Sequence, residues 1–127
     1  MKKIIILLIS ISTFVVCQGQ TKENSTNGKI YLVNAEQFKK GIAKEGVQLV
    51  DVRTLKEYNQ GKIGNAILIN FFQEDFMEKI NKLDKNKPIY IYCHSGRRSG
   101  RAAKKLLNAG FENIYNLDGG IIGWRNR

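Results

Sequence analysis

Along most of this chain, short runs of β-branched and aromatic residues alternate with stretches of helical period. Residues 29–33 (KIYLV) predict a strand. Asn34 reads as an N-cap, and the helix from Ala35 sets Phe38 and Ile42 four apart until Gly46 stops it. Residues 47–52 predict a second strand and 54–59 a short turn of helix. A third strand is expected over 66–70, then an amphipathic helix over 73–83 with Phe76, Ile80 and Leu83 on one stripe. A fourth strand follows over 88–92, with proline only at its first position, where it is tolerated. A helix over 99–108 ends at Gly110, a fifth strand takes 113–117, and a short tail helix carries Trp124. Strands and helices alternating at this spacing predict an α/β fold, with about five mostly parallel strands and helices on both faces.

The first residues follow another pattern. Met1-Lys2-Lys3 precedes an apolar run from Ile4 to Val16, the arrangement of a secretory signal peptide. The run is too short for a membrane span, which needs about 20 apolar residues. Residues 1–19 are therefore expected to be a signal peptide, 20–28 a polar linker, and 29–127 the folded domain. Cleavage after Gly19 and lipidation at Cys17 both fit the pattern. Either way, the protein is expected to be exported to the periplasm or cell envelope, touching a membrane only if Cys17 is lipidated.

Composition narrows the class. With 127 residues, 43% hydrophobic and 25% charged, the chain has room for one ordinary domain. A single proline excludes proline-rich or collagen-like architecture, and two cysteines cannot build a multi-disulfide scaffold. If the leader is removed, Cys93 is the lone thiol: a buried passenger or a reactive group. The net charge of +10 invites a nucleic-acid reading, but no recognition module accompanies it, and the surplus better suits anionic donors or the cell envelope. His94 is the only histidine and has no second thiol beside it, so neither a metal nor any other cofactor is expected.

In open α/β sheets, ligands bind beyond the carboxyl ends of the strands. The second strand ends in Asp51-Val52-Arg53, the third in Asn70-Phe71-Phe72, and the fourth in Cys93-His94-Ser95-Gly96-Arg97-Arg98-Ser99. Phe71 and Phe72 suit core or pocket wall. In the last segment a strand ends, Gly96 permits a tight curl, and a helix begins. Backbone N–H groups, the helix dipole and two arginines would surround the Cys93 sulfur and favour its thiolate. Arg98, Ala102 and Leu106 are four apart, which puts Arg98 on the sheet-facing stripe and Arg97 outside. A part-buried guanidinium needs a carboxylate; Asp51 is the first candidate and Glu57 the second.

These residues resemble the rhodanese family of sulfurtransferases in its single-domain form. Asp51-Val52-Arg53 with Glu57-Tyr58, Gly61-Lys62-Ile63 and Asn65-Ala66 is similar to the family's first segment. Residues 93–99 resemble its active loop, and Leu117-Asp118-Gly119-Gly120 with Trp124 its closing segment. Lys62 stands where the family usually has histidine. The resemblance implies Cys93 as nucleophile, taking sulfur from a donor such as thiosulfate or a persulfide. It would then pass that sulfur to cyanide or a thiol, including a protein thiol partner. In this reading the N–H groups of His94 to Ser99 hold the persulfide, Arg97 meets the donor and Arg98 braces the loop. Asp51, Arg53 and Glu57 would be supporting residues. Phosphatases of similar fold place five residues between cysteine and arginine; the four between Cys93 and Arg98 suit a lone sulfur better. A non-catalytic persulfide carrier or redox-docking module of the cell envelope, serving only a protein partner, would need the same loop.

Overall fold

A computed structural model describes residues 27–127. The expected leader, the processing at Cys17 and nearly all of the linker over 20–28 lie outside the described residues. Ten elements alternate: β1 (Lys29–Val33), α1 (Ala35–Ile42), β2 (Gln48–Asp51), α2 (Leu55–Asn59), β3 (Ile67–Leu68), α3 (Phe76–Ile80), β4 (Ile89–Tyr92), α4 (Arg97–Asn108), β5 (Asn113–Leu117) and α5 (Gly120–Arg125). The five strands form one parallel sheet in the order β1-β5-β4-β2-β3.

Local chemistry explains where the helices start. Asn34 Oδ1 accepts the Gln37 N–H at 2.8 Å, and the Gln37 side chain accepts the Asn34 N–H at 3.0 Å. This reciprocal cap begins α1, and Thr54 with Glu57 repeats it at α2. At α4 a glycine takes the capping position instead: Gly96 sits at φ +100°, a left-handed conformation that costs other residues energy. Both arginines therefore lie inside α4, which begins two residues before the expected start at Ser99.

Three elements are clearly shorter than their patterns suggest, and the first is α1, which ends at Ile42 rather than running on to Gly46. β3 keeps only Ile67 and Leu68 in regular pairing. The chain still bonds to β2 beyond it, with Ile69 N–H on the Asp51 carbonyl and Phe71 N–H on that of Val52. As the edge strand it has a neighbour on one side only, so the ladder loosens first there. α3 spans Phe76–Ile80, and Asp75 ahead of it makes no side-chain cap.

β4 alternates cleanly between the two faces. Ile89, Ile91 and Cys93 join Val50, Ala102, Leu106 and Phe76 on the side of α3 and α4. Tyr90 and Tyr92 join Phe38, Leu117 and Ile121 on the side of α1 and α5. Each large apolar side chain buried this way contributes about 1.5–3 kcal/mol. Two apolar layers thus clamp β4 from both faces, and the residue at its carboxyl end is Cys93.

Candidate active site

Cys93 is fully buried in the α4-side layer. Its sulfur receives the Gly96 N–H at 3.0 Å and lies 3.4 Å from the Ser99 hydroxyl. Both donors sit where a negative sulfur would gain most from them. Gly96 can curl back to the sulfur because it takes positive φ, and a Cβ there would stand 3.5 Å from the Leu117 carbonyl oxygen and the Gly119 nitrogen.

The loop is held from behind by α5. The Ile121 N–H donates to the Cys93 carbonyl at 2.9 Å and the Ile122 N–H to the His94 carbonyl at 3.2 Å. Gly120, at φ +58°, makes this approach feasible, since a Cβ on it would collide with the His94 carbonyl. Pattern reading missed this clamp on the candidate loop. The adjacent glycines Gly119 and Gly120 were its one visible sign, because paired glycines mark a close approach of backbones.

The charged residues divide into two separate pairs. Arg98 does not reach Asp51, the carboxylate expected first. It makes a bidentate pair with Glu57, Nη1 to Oε2 at 2.8 Å and Nη2 to Oε1 at 2.7 Å. Asp51 is unavailable because β2 ends by turning Arg53 back onto it. Asp51 accepts the Arg53 N–H at 2.9 Å and Arg53 Nη2 at 2.7 Å, with both groups buried. Arg53 Nη2 also donates to the Gly61 carbonyl at 2.7 Å. The Tyr92 hydroxyl donates to Asp51 at 2.8 Å and accepts the Ile63 N–H at 3.0 Å. That network staples β2, β4 and the segment after α2 together beneath the site.

Titration behaviour follows from these contacts. The Arg98 hydrogen bonds pull the Glu57 carboxyl down to about 2; burial opposes them, and Thr54 adds its backbone and side-chain donors. Arg98 is raised by the same bonds to Glu57. Burial alone would lower Arg53, but the hydrogen bonds and charge of Asp51 outweigh it and raise its pKa. Burial pushes the Tyr92 phenol well up, so it stays a donor at any ordinary pH.

His94, Ser95 and Arg97 are exposed on the outer side of the loop, while Arg98 is half-buried and Ser99 fully buried. The Arg98 guanidinium lies over the Phe72 ring, 5.4 Å from its centroid, and Arg101 lies over Phe71 at 5.3 Å. Phe71 packs against the core, whereas Phe72 is 62% exposed. The loop thus has an aromatic and cationic flank, with Arg97 on its open side. Lys62 is engaged elsewhere, donating to the Tyr58 hydroxyl at 2.9 Å. A cavity of about 490 Å³ near the amino end of β2, lined by Ile42, Lys44, Val47, Leu49 and Ile67, contains no thiol, so sulfur chemistry favours the loop at Cys93.

Comparison with known proteins points the same way. Residues 34–127 match the family model described as a rhodanese-like domain. The chain is 32% identical over 111 residues to the putative sulfur carrier protein YrkF of Bacillus subtilis, a match covering 87% of this chain and 59% of YrkF. It is 35% identical over 80 residues to the thiosulfate sulfurtransferase GlpE of Shewanella oneidensis, covering 63% of this chain and 77% of that protein. A rhodanese-related protein from Thermoplasma volcanium superposes with a TM-score of 0.66 at 30% identity, covering 76% of this chain and 91% of that one.

Proposed function

The chain belongs to the rhodanese-like family, and from that premise we propose that it is a sulfurtransferase working through a Cys93 persulfide. The observation that carries this reading is the sulfur at the end of β4, with the Gly96 N–H 3.0 Å away inside a loop of matching length. The Cys93 thiolate attacks the outer sulfur of a donor such as thiosulfate. The donor's S–S bond breaks, and sulfite leaves with the electron pair. An acceptor thiolate then attacks the outer sulfur of the persulfide, and Cys93 departs as thiolate, ready for another cycle. Arg97, on the open side of the loop, meets the anionic donor. Arg98, paired with Glu57, holds the first turn of α4 against α2.

Mass spectrometry of the protein after exposure to thiosulfate tests the proposal. One added sulfur on Cys93 is expected. Cys93→Ser should keep the fold, since the hydroxyl is nearly isosteric, yet take up no sulfur; Cys17→Ser should load normally. Loading that survives in Cys93→Ser overturns the assignment.

A second reading has support of its own. The Cys93 sulfur is fully buried, and the relative YrkF is named a putative sulfur carrier protein. A carrier would load once and discharge only to a protein thiol, whereas steady turnover with small thiols supports the enzyme. The N-terminal pattern of residues 1–19 leads us to place either activity outside the cytoplasm.

A further inference from the structure

Ser99 has one hydroxyl proton and two acceptors within reach. Its Oγ lies 3.2 Å from the Gly96 carbonyl oxygen and 3.4 Å from Cys93 Sγ. A serine in a first helical turn commonly bonds back to the carbonyl three residues earlier. Here that carbonyl does not depend on it, because the Gly100 N–H already donates to Gly96 O at 3.0 Å. The hydroxyl can therefore rotate toward the sulfur without stranding a buried acceptor. Ser99 itself is fully buried, so no water competes for its proton, and a bond to an ionised acceptor is markedly stronger than one to a carbonyl.

We propose that Ser99 is a catalytic donor that follows the charge on Cys93 Sγ, and that it acts mainly when sulfur is delivered. The proposal rests on the persulfide reading above. While the outer sulfur is bound, Sγ is an uncharged inner sulfur and the hydroxyl faces the Gly96 carbonyl. As the acceptor thiolate attacks the outer sulfur, the S–S bond breaks and its electron pair moves onto Sγ. The hydroxyl then turns to Sγ and stabilises the departing thiolate. In loading the same bond works against the reaction, since it stabilises the attacking thiolate and makes it less nucleophilic. Once the thiol is ionised, loss of the hydroxyl should therefore slow discharge without slowing loading.

The test uses the full chain carrying Cys17→Ser, so that Cys93 is the only thiol, with Ser99→Ala and Ser99→Thr compared in that background. Loading from thiosulfate and discharge to 2-mercaptoethanol are followed separately by quenched mass spectrometry at alkaline pH. Ser99→Ala should discharge about tenfold to a hundredfold more slowly while loading as fast as the parent or faster. Ser99→Thr, which keeps the hydroxyl, should restore discharge. Independently of sulfur transfer, the pH profile of Cys93 alkylation by iodoacetamide should move to higher pH in Ser99→Ala. Equal slowing of both half-reactions, unchanged discharge, or a folded Ser99→Thr as slow as Ser99→Ala would overturn the proposal. If the parent takes up no sulfur at all, the persulfide reading fails, and the alkylation profile alone decides whether Ser99 serves the thiolate.

Discussion

Replacing Arg98 by alanine should cost this fold about 2 kcal/mol, whereas the same change at its neighbour Arg97 should cost almost nothing. The magnitude comes from how the Arg98–Glu57 pair is placed. Breaking a fully buried pair costs about 3–5 kcal/mol, and an exposed one is worth about 0–1 kcal/mol. Here the side chains are 19% and 26% exposed, so the stranded carboxylate recovers part of its hydration. The bidentate geometry and the Phe72 ring beneath the guanidinium hold the value near the middle. For a domain of this size about 2 kcal/mol lowers the melting temperature by roughly 8–16 °C. Arg97, exposed and in none of the ion pairs among the described residues, should stay within about 0.5 kcal/mol.

The same pair sets a pH dependence with a definite sign. Glu57 has its folded pKa lowered from 4.5 to about 2. Its stabilisation is therefore complete above pH 4.5 and is lost as pH falls toward 2. Left unscreened, that shift corresponds to about 3 kcal/mol; solvent reaching the partly exposed carboxylate brings it nearer 2 kcal/mol. Urea unfolding of the wild type, Arg98→Ala and Arg97→Ala at pH 7 and pH 2.5 reads both effects. The gap between wild type and Arg98→Ala should be wide at pH 7 and narrow at pH 2.5. Equal stabilities for the two alanine variants, or a gap that does not shrink in acid, would refute the reasoning.

Asp51→Asn should be the more damaging change, at about 3–5 kcal/mol, because it leaves the buried Arg53 guanidinium without a counter-charge; calorimetry against Arg98→Ala gives the ranking. Gly120→Ala should displace the loop, since its Cβ meets the His94 carbonyl, so sulfur loading should fall steeply while circular dichroism still reports a folded chain. Tyr92→Phe removes a donor to Asp51 and the acceptor for the Ile63 N–H, and should cost about 1–3 kcal/mol in denaturant unfolding. Amino-terminal analysis of protein from the native cell should find a start near Gln20 or a lipid on Cys17; intact Met1-containing protein in the cytosol would sink the export reading.

Much of the architecture was legible in local pattern. The limits of β1 and β5 follow from runs of β-branched and aromatic residues, and the start of α1 from Asn34 as its cap. Such signals survive because strand alternation, helical period and caps involve neighbours within a few residues. Arg98 facing inward was likewise readable, since Ala102 and Leu106 on its stripe are buried. The patterns overran at α1, β3 and α3; β3 has a pairing neighbour on one side only, and α3 starts late without a side-chain cap.

Which carboxylate Arg98 meets was not readable, although both candidates could be named. Glu57 and Arg98 are 41 positions apart, and their meeting depends on how β2 and β4 lie side by side. Asp51 was excluded by a turn that brings Arg53 back onto it within two residues. The clamp of α5 on the loop after β4 also appears only in three dimensions, because backbone N–H and carbonyl groups make it and every residue type carries those. Local pattern alone is enough to put Cys93 at the end of a strand, Glu57 on a short helix and Arg98 on the sheet-facing stripe of another. Tertiary packing decided the partners, because an ion pair between distant segments depends on the sheet that aligns them, and no local period encodes that alignment.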